Sequence, residues 1–342
     1  MHKDNALTPA HSNSALEVAG RVANEHARRG AFVEYRSRKA ENTLITHDAA
    51  LARFAAFLRA SKSDVKAGAD KLARDPEAWR GVTFGIVEAF RNWQLIEGDS
   101  IASVNLRLSV VKTYAKLAFK AGVIDATEHA LIRTVEGYSP KEGRRINERR
   151  DVQRRGLKKA KSVRLTDSQV KALKTHPDTP QGRRDALLMC LLLDHGLRVG
   201  EVAGLAVGDF DLRAGVVTVY RPKVDMTQTH KLTADTLRAA RAWFDSGDVP
   251  AMNDAPVLRS SRKGGALTEA GMSERAINKR VAALGAALGI DHLSPHDCRH
   301  YWATLWAGKT SPFRLKEAGG WKSYGTVDRY VEASKIANEG MA

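Results

Sequence analysis

The segment LSPHDCRHYWAT sets a histidine and an arginine three residues apart at the start of a helix. Ser294 reads as its N-cap, Pro295 as the first helical residue and Asp297 as the capping partner. His296 and Arg299 then share one face of the first two turns. Free backbone N–H groups and the helix dipole already favour an anion at that end. An imidazole and a guanidinium added there make a site for a phosphate oxyanion. A second arginine, Arg198, follows Gly196 in HGLRVGEVAGL, where a new helix starts. Its guanidinium offers two parallel donors to a phosphate and stays charged at any working pH. Glu201, three residues on, is spaced to orient Arg198 or a histidine.

Two further features complete the set. VVTVYRPKVDMTQTHKLT reads as a hairpin with Lys223 in or near its turn, a position from which a lysine could protonate a leaving oxygen. Lys231, on the return segment, competes for that role. In SPFRLKEAGGWKSYGTVDRYVEAS, Ser311 and Pro312 start a helix that Gly319-Gly320 ends; Trp321 follows at once and Tyr330 nine residues later. A tyrosine hydroxyl, with a pKa around 10, attacks phosphorus only beside cations that stabilise phenolate and a pentavalent phosphate. On chemistry alone Tyr324 and Tyr301 are competing nucleophiles. Taken singly, these residues are more often a surface ion pair, a solubilising lysine or a packing aromatic. Their combination carries the argument.

The elements that must position them fall in two groups. Leu44, Leu51, Phe54 and Leu58 lie on one helical face, and Val104, Leu108, Val111, Ala115 and Ala118 form the stripe of a second helix stopped near Gly122. Strand signals are scarce before residue 140, so the first domain (41–138) is expected to be a small helical bundle. Residues 1–40 read as a flexible arm or a loosely packed first helix. Residues 139–164, dense in Lys and Arg and without a helical stripe, read as a basic linker lying along phosphates. A new unit (165–342) begins at LTDSQV, where Thr166 and Gln169 have capping-box spacing and Leu165 and Val170 can form the staple around it. DALLMCLLLDH is a buried helix, GVVTVY a strand and THKLT a weaker one, with further helices to the end. The expected fold is mainly α with a small antiparallel β-sheet: a helical domain followed by an α+β domain.

Composition narrows the partner. Lys and Arg total 55 against 39 acids, a formal charge of +16 with a pI near 9.9, which favours a polyanion through counterion release. No apolar run approaches the length of a membrane span, no export signal is visible, and Cys190 and Cys298 have no CxxC partner. Both cysteines are expected to be reduced and structural in a cytoplasmic protein. No metal-ligand spacing and no phosphate-binding GxxxxGK[ST] loop are found.

The order Arg, hairpin Lys, His-x-x-Arg, Trp, Tyr resembles the active-site pattern of the tyrosine recombinases, the phage integrase family. GLRVGE, LSPHDCRH, the GGW segment and Tyr330 look like its motif boxes from Leu165 to about Ser334. Over roughly Asn42 to Gly137 the resemblance is weaker, to a helical core-binding domain. It implies that Arg198 and Arg299 bind the non-bridging oxygens of a scissile phosphate and that His296 hydrogen-bonds it and assists proton transfer. Lys223 would be the general acid toward the leaving 5′-oxygen, Trp321 would donate its indole N–H, and Tyr330 would form a 3′-phosphotyrosyl bond. Glu201 and His300 would support them. Because the phosphotyrosine conserves bond energy, no metal or nucleotide cofactor is implied. The resemblance further implies a specific duplex DNA target, a homotetramer on paired sites near the nucleoid, and accessory or directionality proteins, for integration, excision or resolution. A type IB topoisomerase shares the chemistry, and a non-catalytic DNA-binding protein could share the fold. Two features depart from the family: VEASKIANEGMA is a short tail for docking a neighbour, and residues 1–40 show no arm-site-binding domain.

Overall fold

The computed structural model describes residues 14–60, 68–150, 163–325 and 327–328, in two units, residues 1–158 and 159–342. In the first, α1 (Ala15–Ser37) opens on a Ser14–Glu17 capping box. Residues 15–29 are all exposed, and only Ala31 and Phe32 of this helix are buried. It is followed by α2 (Glu41–Ala60), α3 (Ala69–Arg74), a 3-10 turn at Pro76–Trp79, α4 (Phe84–Ile96), α5 (Ile101–Lys120), α6 (Ala126–Thr134) and α7 (Pro140–Arg149). The expected stripes point inward: Leu51, Phe54 and Leu58 of α2 are buried, as are Val104, Leu108, Val111, Ala115 and Ala118 of α5. Between them the ring of Phe54 lies 5.0 Å from Phe90 and 5.7 Å from Trp79, edge-on and stacked contacts that add to area burial.

Part of the segment read as a basic linker from residue 139 is helical: α7 packs within the first unit, with contacts as far as Arg150. Asn105 brackets Tyr138, donating to its carbonyl at 2.7 Å and accepting its N–H at 2.8 Å. Ser139 and Glu142 form a capping box with Pro140 at the first position. Gly143 presses on Ile101, where an added Cβ would meet Cγ2 at 3.0 Å, and Arg150 donates to the Asp99 carbonyl. A helix docked by one glycine and its caps leaves no apolar stripe to read. Residues 151–162 of the expected linker lie outside the described residues.

In the second unit α8 (Asp167–Lys174) starts at the Thr166–Gln169 capping box. The apolar helix α9 (Pro180–Asp194) is buried throughout Leu187–Leu193 and ends at Gly196, whose φ of +59° is the left-handed conformation expected of such a stop. After α10 (Val199–Ala203) come β1 (Phe210–Asp211), β2 (Val216–Arg221) and β3 (Met226–Lys231), antiparallel in that order. Then follow α11 (Ala234–Phe244), β4 (Arg259–Ser261), β5 (Leu267–Gly271), α12 (Glu274–Ala287), α13 (Pro295–Ala307) and α14 (Pro312–Gly319). The β4–β5 hairpin is a second sheet beyond the one expected. Its sequence is polar and lacks alternation; Gly264 and Gly265, both at positive φ, turn it, and Arg259 Nε donates across it to the Thr268 carbonyl. Cys190 and Cys298 are both buried. Among the described residues no helix is long and apolar enough to cross a membrane.

Candidate active site

Three elements of the second unit converge on the Gly319–Gly320 turn that ends α14. Arg198 stands just before α10 with its backbone N–H and its Nη1 both donating to Glu201, at 2.9 and 2.6 Å. Its Nη2 donates to the Gly320 carbonyl at 3.1 Å. Arg299, on the second turn of α13, is buried; it donates from Nη2 to Gly319 O at 2.6 Å and from Nη1 to Gly196 O at 2.5 Å. Its guanidinium also lies over the Trp321 ring, 4.6 Å from the centroid, a cation–π contact that aligns both groups. Arg198, Glu201, Arg299 and Trp321, far apart in sequence, are therefore brought together.

The turn is glycine for two different reasons. Gly320 adopts φ +59°, and its N–H closes α14 on the Glu317 carbonyl. Gly319 is still helical, but a Cβ there would lie 2.2 Å from Cζ3 of Trp321. Only glycine lets the indole fold back against the helix end.

At the start of α13 the cap works differently from the simple expectation. The Ser294 hydroxyl donates to Asp297 Oδ2 at 2.6 Å, and the Ser294 N–H donates to the same oxygen at 2.9 Å. Asp297 Oδ1 also accepts the N–H of Val163 at 3.1 Å. The buried aspartate thus fixes both the helix start and the first described strand of chain before α8. His296 is exposed and Arg299 buried, so on this face the imidazole is the solvent-side group. His300 is half-buried with Nδ1 near Thr304 Oγ1; burial, and then the neighbouring His296, push its pKa down.

Lys223 is exposed in the turn between β2 and β3, and Lys231 is exposed at the other end of the hairpin, paired with Val216. Side chains alternate across a strand. Val217, Val219 and Arg221 are buried and share a face of the hairpin with their partners His230, Gln228 and Met226, of which the first two are half-buried and Met226 at the turn is exposed, whereas Lys231 has the opposite parity. It also sits about 17 Å along β3 from the turn, at roughly 3.3 Å per residue. Tyr301 donates its hydroxyl to Asp167 at 3.0 Å, and burial together with that carboxylate pushes its pKa up to about 12. Tyr324 is exposed under Lys316. Tyr330 lies outside the described residues.

One residue of the cluster escapes sequence reading. Arg221 is fully buried; its Nη1 donates to both oxygens of Glu201 at 3.1 Å and to Gly319 O at 3.2 Å. Its Nη2 donates to Ala318 O at 2.8 Å and to Nε2 of His230 at 3.1 Å. The signal was its inward parity on a strand whose other inward residues are valines.

A model of the phage integrase family matches residues 163–336, just over half of the chain. Tyrosine recombinase XerC of Xanthomonas campestris is 30% identical over 209 residues, 60% of this chain and 56% of that protein. The aligned part thus spans little more than half the length of that relative. Tyrosine recombinase XerC of Corynebacterium glutamicum is 27% identical over 84% of each chain. Among solved structures, the Tn1549 transposon integrase in complex with circular intermediate DNA aligns with a TM-score of 0.59 at 15% identity, over 92% of this chain and 99% of that one. A lambda integrase dimer bound to a COC′ core site aligns at 0.56 and 17%, over 91% and 96%. At such identities the likeness is one of fold, and it agrees with the helical first unit and the small antiparallel sheets. Taken with the extent of the family match, it leads to one conclusion: the chain belongs to the phage integrase family.

Proposed function

We propose that the protein is a site-specific DNA recombinase that cleaves and rejoins duplex DNA through a 3′-phosphotyrosyl intermediate. The observation that carries this reading is the meeting of Arg198 and Arg299 on adjacent carbonyls of one turn, with Trp321 stacked under Arg299. Two fixed guanidiniums suit a phosphodiester whose charge grows as a fifth oxygen attacks. Arg198 and Arg299 take the non-bridging oxygens; Trp321 adds its indole N–H and closes the floor. His296, exposed on the otherwise buried first turn of α13, hydrogen-bonds the same phosphate and assists the tyrosine proton. Lys223, at the hairpin turn, protonates the leaving 5′-oxygen, a role that the outward parity of Lys231 suits poorly. Tyr330 attacks phosphorus and holds the 3′ end, Glu201 and His300 steady the donors, and a 5′-hydroxyl of the partner strand reverses the step without loss of bond energy.

The partner is duplex DNA carrying a specific site, and the working form is a homotetramer on two paired sites, assisted by accessory or directionality proteins. The charge of +16 supports a polyanionic partner. The test is covalent trapping on nicked DNA from the gene's own locus, resolved on a denaturing gel, for wild type and Tyr330→Phe. A Tyr330-dependent adduct with binding preserved in the mutant is expected. Tight binding without an adduct would favour a DNA-binding protein, and an adduct that persists in Tyr330→Phe would move the nucleophile to Tyr324.

A further inference from the structure

We infer that Arg221 is the positioning residue of this site, the group that sets Arg198, Arg299 and the Lys223 hairpin in one register; the inference rests on the recombinase reading. Being wholly buried, Arg221 has no route to a DNA phosphate, so its guanidinium acts through other residues. It shares an acceptor with each of the two phosphate-binding arginines. Glu201 Oε1 receives Arg198 Nη1 at 2.6 Å and Arg221 Nη1 at 3.1 Å. Gly319 O receives Arg299 Nη2 at 2.6 Å and Arg221 Nη1 at 3.2 Å. Arg221 also ends β2, two residues before Lys223.

The surroundings leave that guanidinium one place to be. Nη2 is held between Ala318 O and His230 Nε2. A Cβ on Gly320 would come within 2.6 Å of its Cδ and 2.8 Å of its Nη1. Gln228, on the same face of the hairpin, adds a second tie by donating to Glu317 O at 2.9 Å. The end of α14, and with it Trp321, is thereby fastened to the strand that leads to Lys223. A planar fork can chelate a carboxylate and two carbonyls at once; an ammonium cannot match that geometry.

The experiment measures covalent adduct formation under single-turnover conditions on a nicked substrate, at saturating protein, with DNA affinity measured separately. Wild type, Arg221→Met and Arg221→Lys are compared in the full chain. Arg221→Met is expected to bind DNA within about threefold of wild type and to reach the same final adduct yield. Its rate is expected to fall about a hundredfold, the scale of a misplaced reacting group. Arg221→Lys, which keeps the charge without the fork, should fall between the two. A folded Arg221→Met that reacts within about threefold of wild type overturns the inference. So does a lower final yield at unchanged rate, which would mean that Arg221 only keeps the protein folded. Should Arg221→Met fail to fold, Arg221→Lys decides by the same rate and yield criteria. A wild type without a Tyr330-dependent adduct would instead sink the recombinase reading and this one with it.

Discussion

Replacing Asp297 with asparagine keeps the shape of the side chain and removes one acceptor and one charge. Asp297 is buried, and its bonds include two accepted from Ser294 on Oδ2 and one from the Val163 N–H on Oδ1. Asparagine has only one oxygen. If that oxygen keeps Ser294, the amide NH2 faces the Val163 N–H, donor against donor; in the reverse orientation two bonds are lost. A charge-assisted hydrogen bond contributes about 1.5–3 kcal/mol, and a carboxylate in the first turn of a helix adds up to about 1 kcal/mol against the helix dipole. The expected cost is therefore about 3 kcal/mol in the second unit. At roughly 2–4 °C per kcal/mol for a unit of this size, its melting temperature should fall by about 6–12 °C. Ser294→Ala, which removes only the hydroxyl donor, should cost about 1 kcal/mol. Urea denaturation followed by tryptophan fluorescence reads both, since Trp302 and Trp306 sit on α13 and Trp321 beside it. Because the same cap sets the first turn that carries His296, the adduct rate of Asp297→Asn should fall even where the protein is folded. A loss of stability under about 1 kcal/mol together with a normal rate would refute the argument that this aspartate fixes the helix start.

Two further outcomes follow from the same site. Burial pulls both His195 and His230 down to about 4, with the Arg221 charge adding to the effect on His230. Their folded forms are therefore neutral while the unfolded chain takes up protons below 6.5. Stability should be flat above pH 7 and decline as pH falls from 6.5 through 4, and each ring should lose about 2 kcal/mol between pH 7 and pH 5. His230→Gln, which keeps an acceptor for Arg221, should remove one ring's share of that slope in urea titrations at the two pH values. An unchanged slope would show that His230 is not the buried neutral group it is taken to be. For the leaving group, Lys223→Ala should lose cleavage on ordinary DNA and regain it on a 5′-bridging phosphorothiolate, whose thiolate leaves without a proton. Lys231→Ala should cleave both substrates normally, and the opposite pattern would exchange the two lysines.

Much of this site was legible because its pieces are local. The His-x-x-Arg pair rides on a helix start that Pro295 and Asp297 announce, and the period-2 run of valines gives the β2 strand and places Lys223 at its turn. What was not legible depends on tertiary packing. Arg221 looks like a surface charge beside Pro222 until the parity of β2 turns it inward onto Glu201. The α7 helix hides in a run of charges because it docks through Gly143 and capping groups, with no apolar stripe. The β4–β5 hairpin shows no alternation because it is held by polar contacts across Arg259 and Thr268.

The Gly319-Gly320 pair shows how a correct local reading can still miss the reason for a residue. As punctuation it needs one glycine, and Gly320, left-handed at the C-cap, is sufficient to end α14. Gly319 lies inside the helix, where glycine costs about 1 kcal/mol relative to alanine. That cost is offset only if the missing Cβ is needed, and the Trp321 ring occupying its place supplies the need. The same close packing leaves the carbonyls of Gly319 and Gly320 accessible to Arg198, Arg221 and Arg299. A larger residue at 319 would displace the indole and at 320 would press on Arg221. The turn is thus better understood as the frame on which the cations are mounted than as the end of a helix.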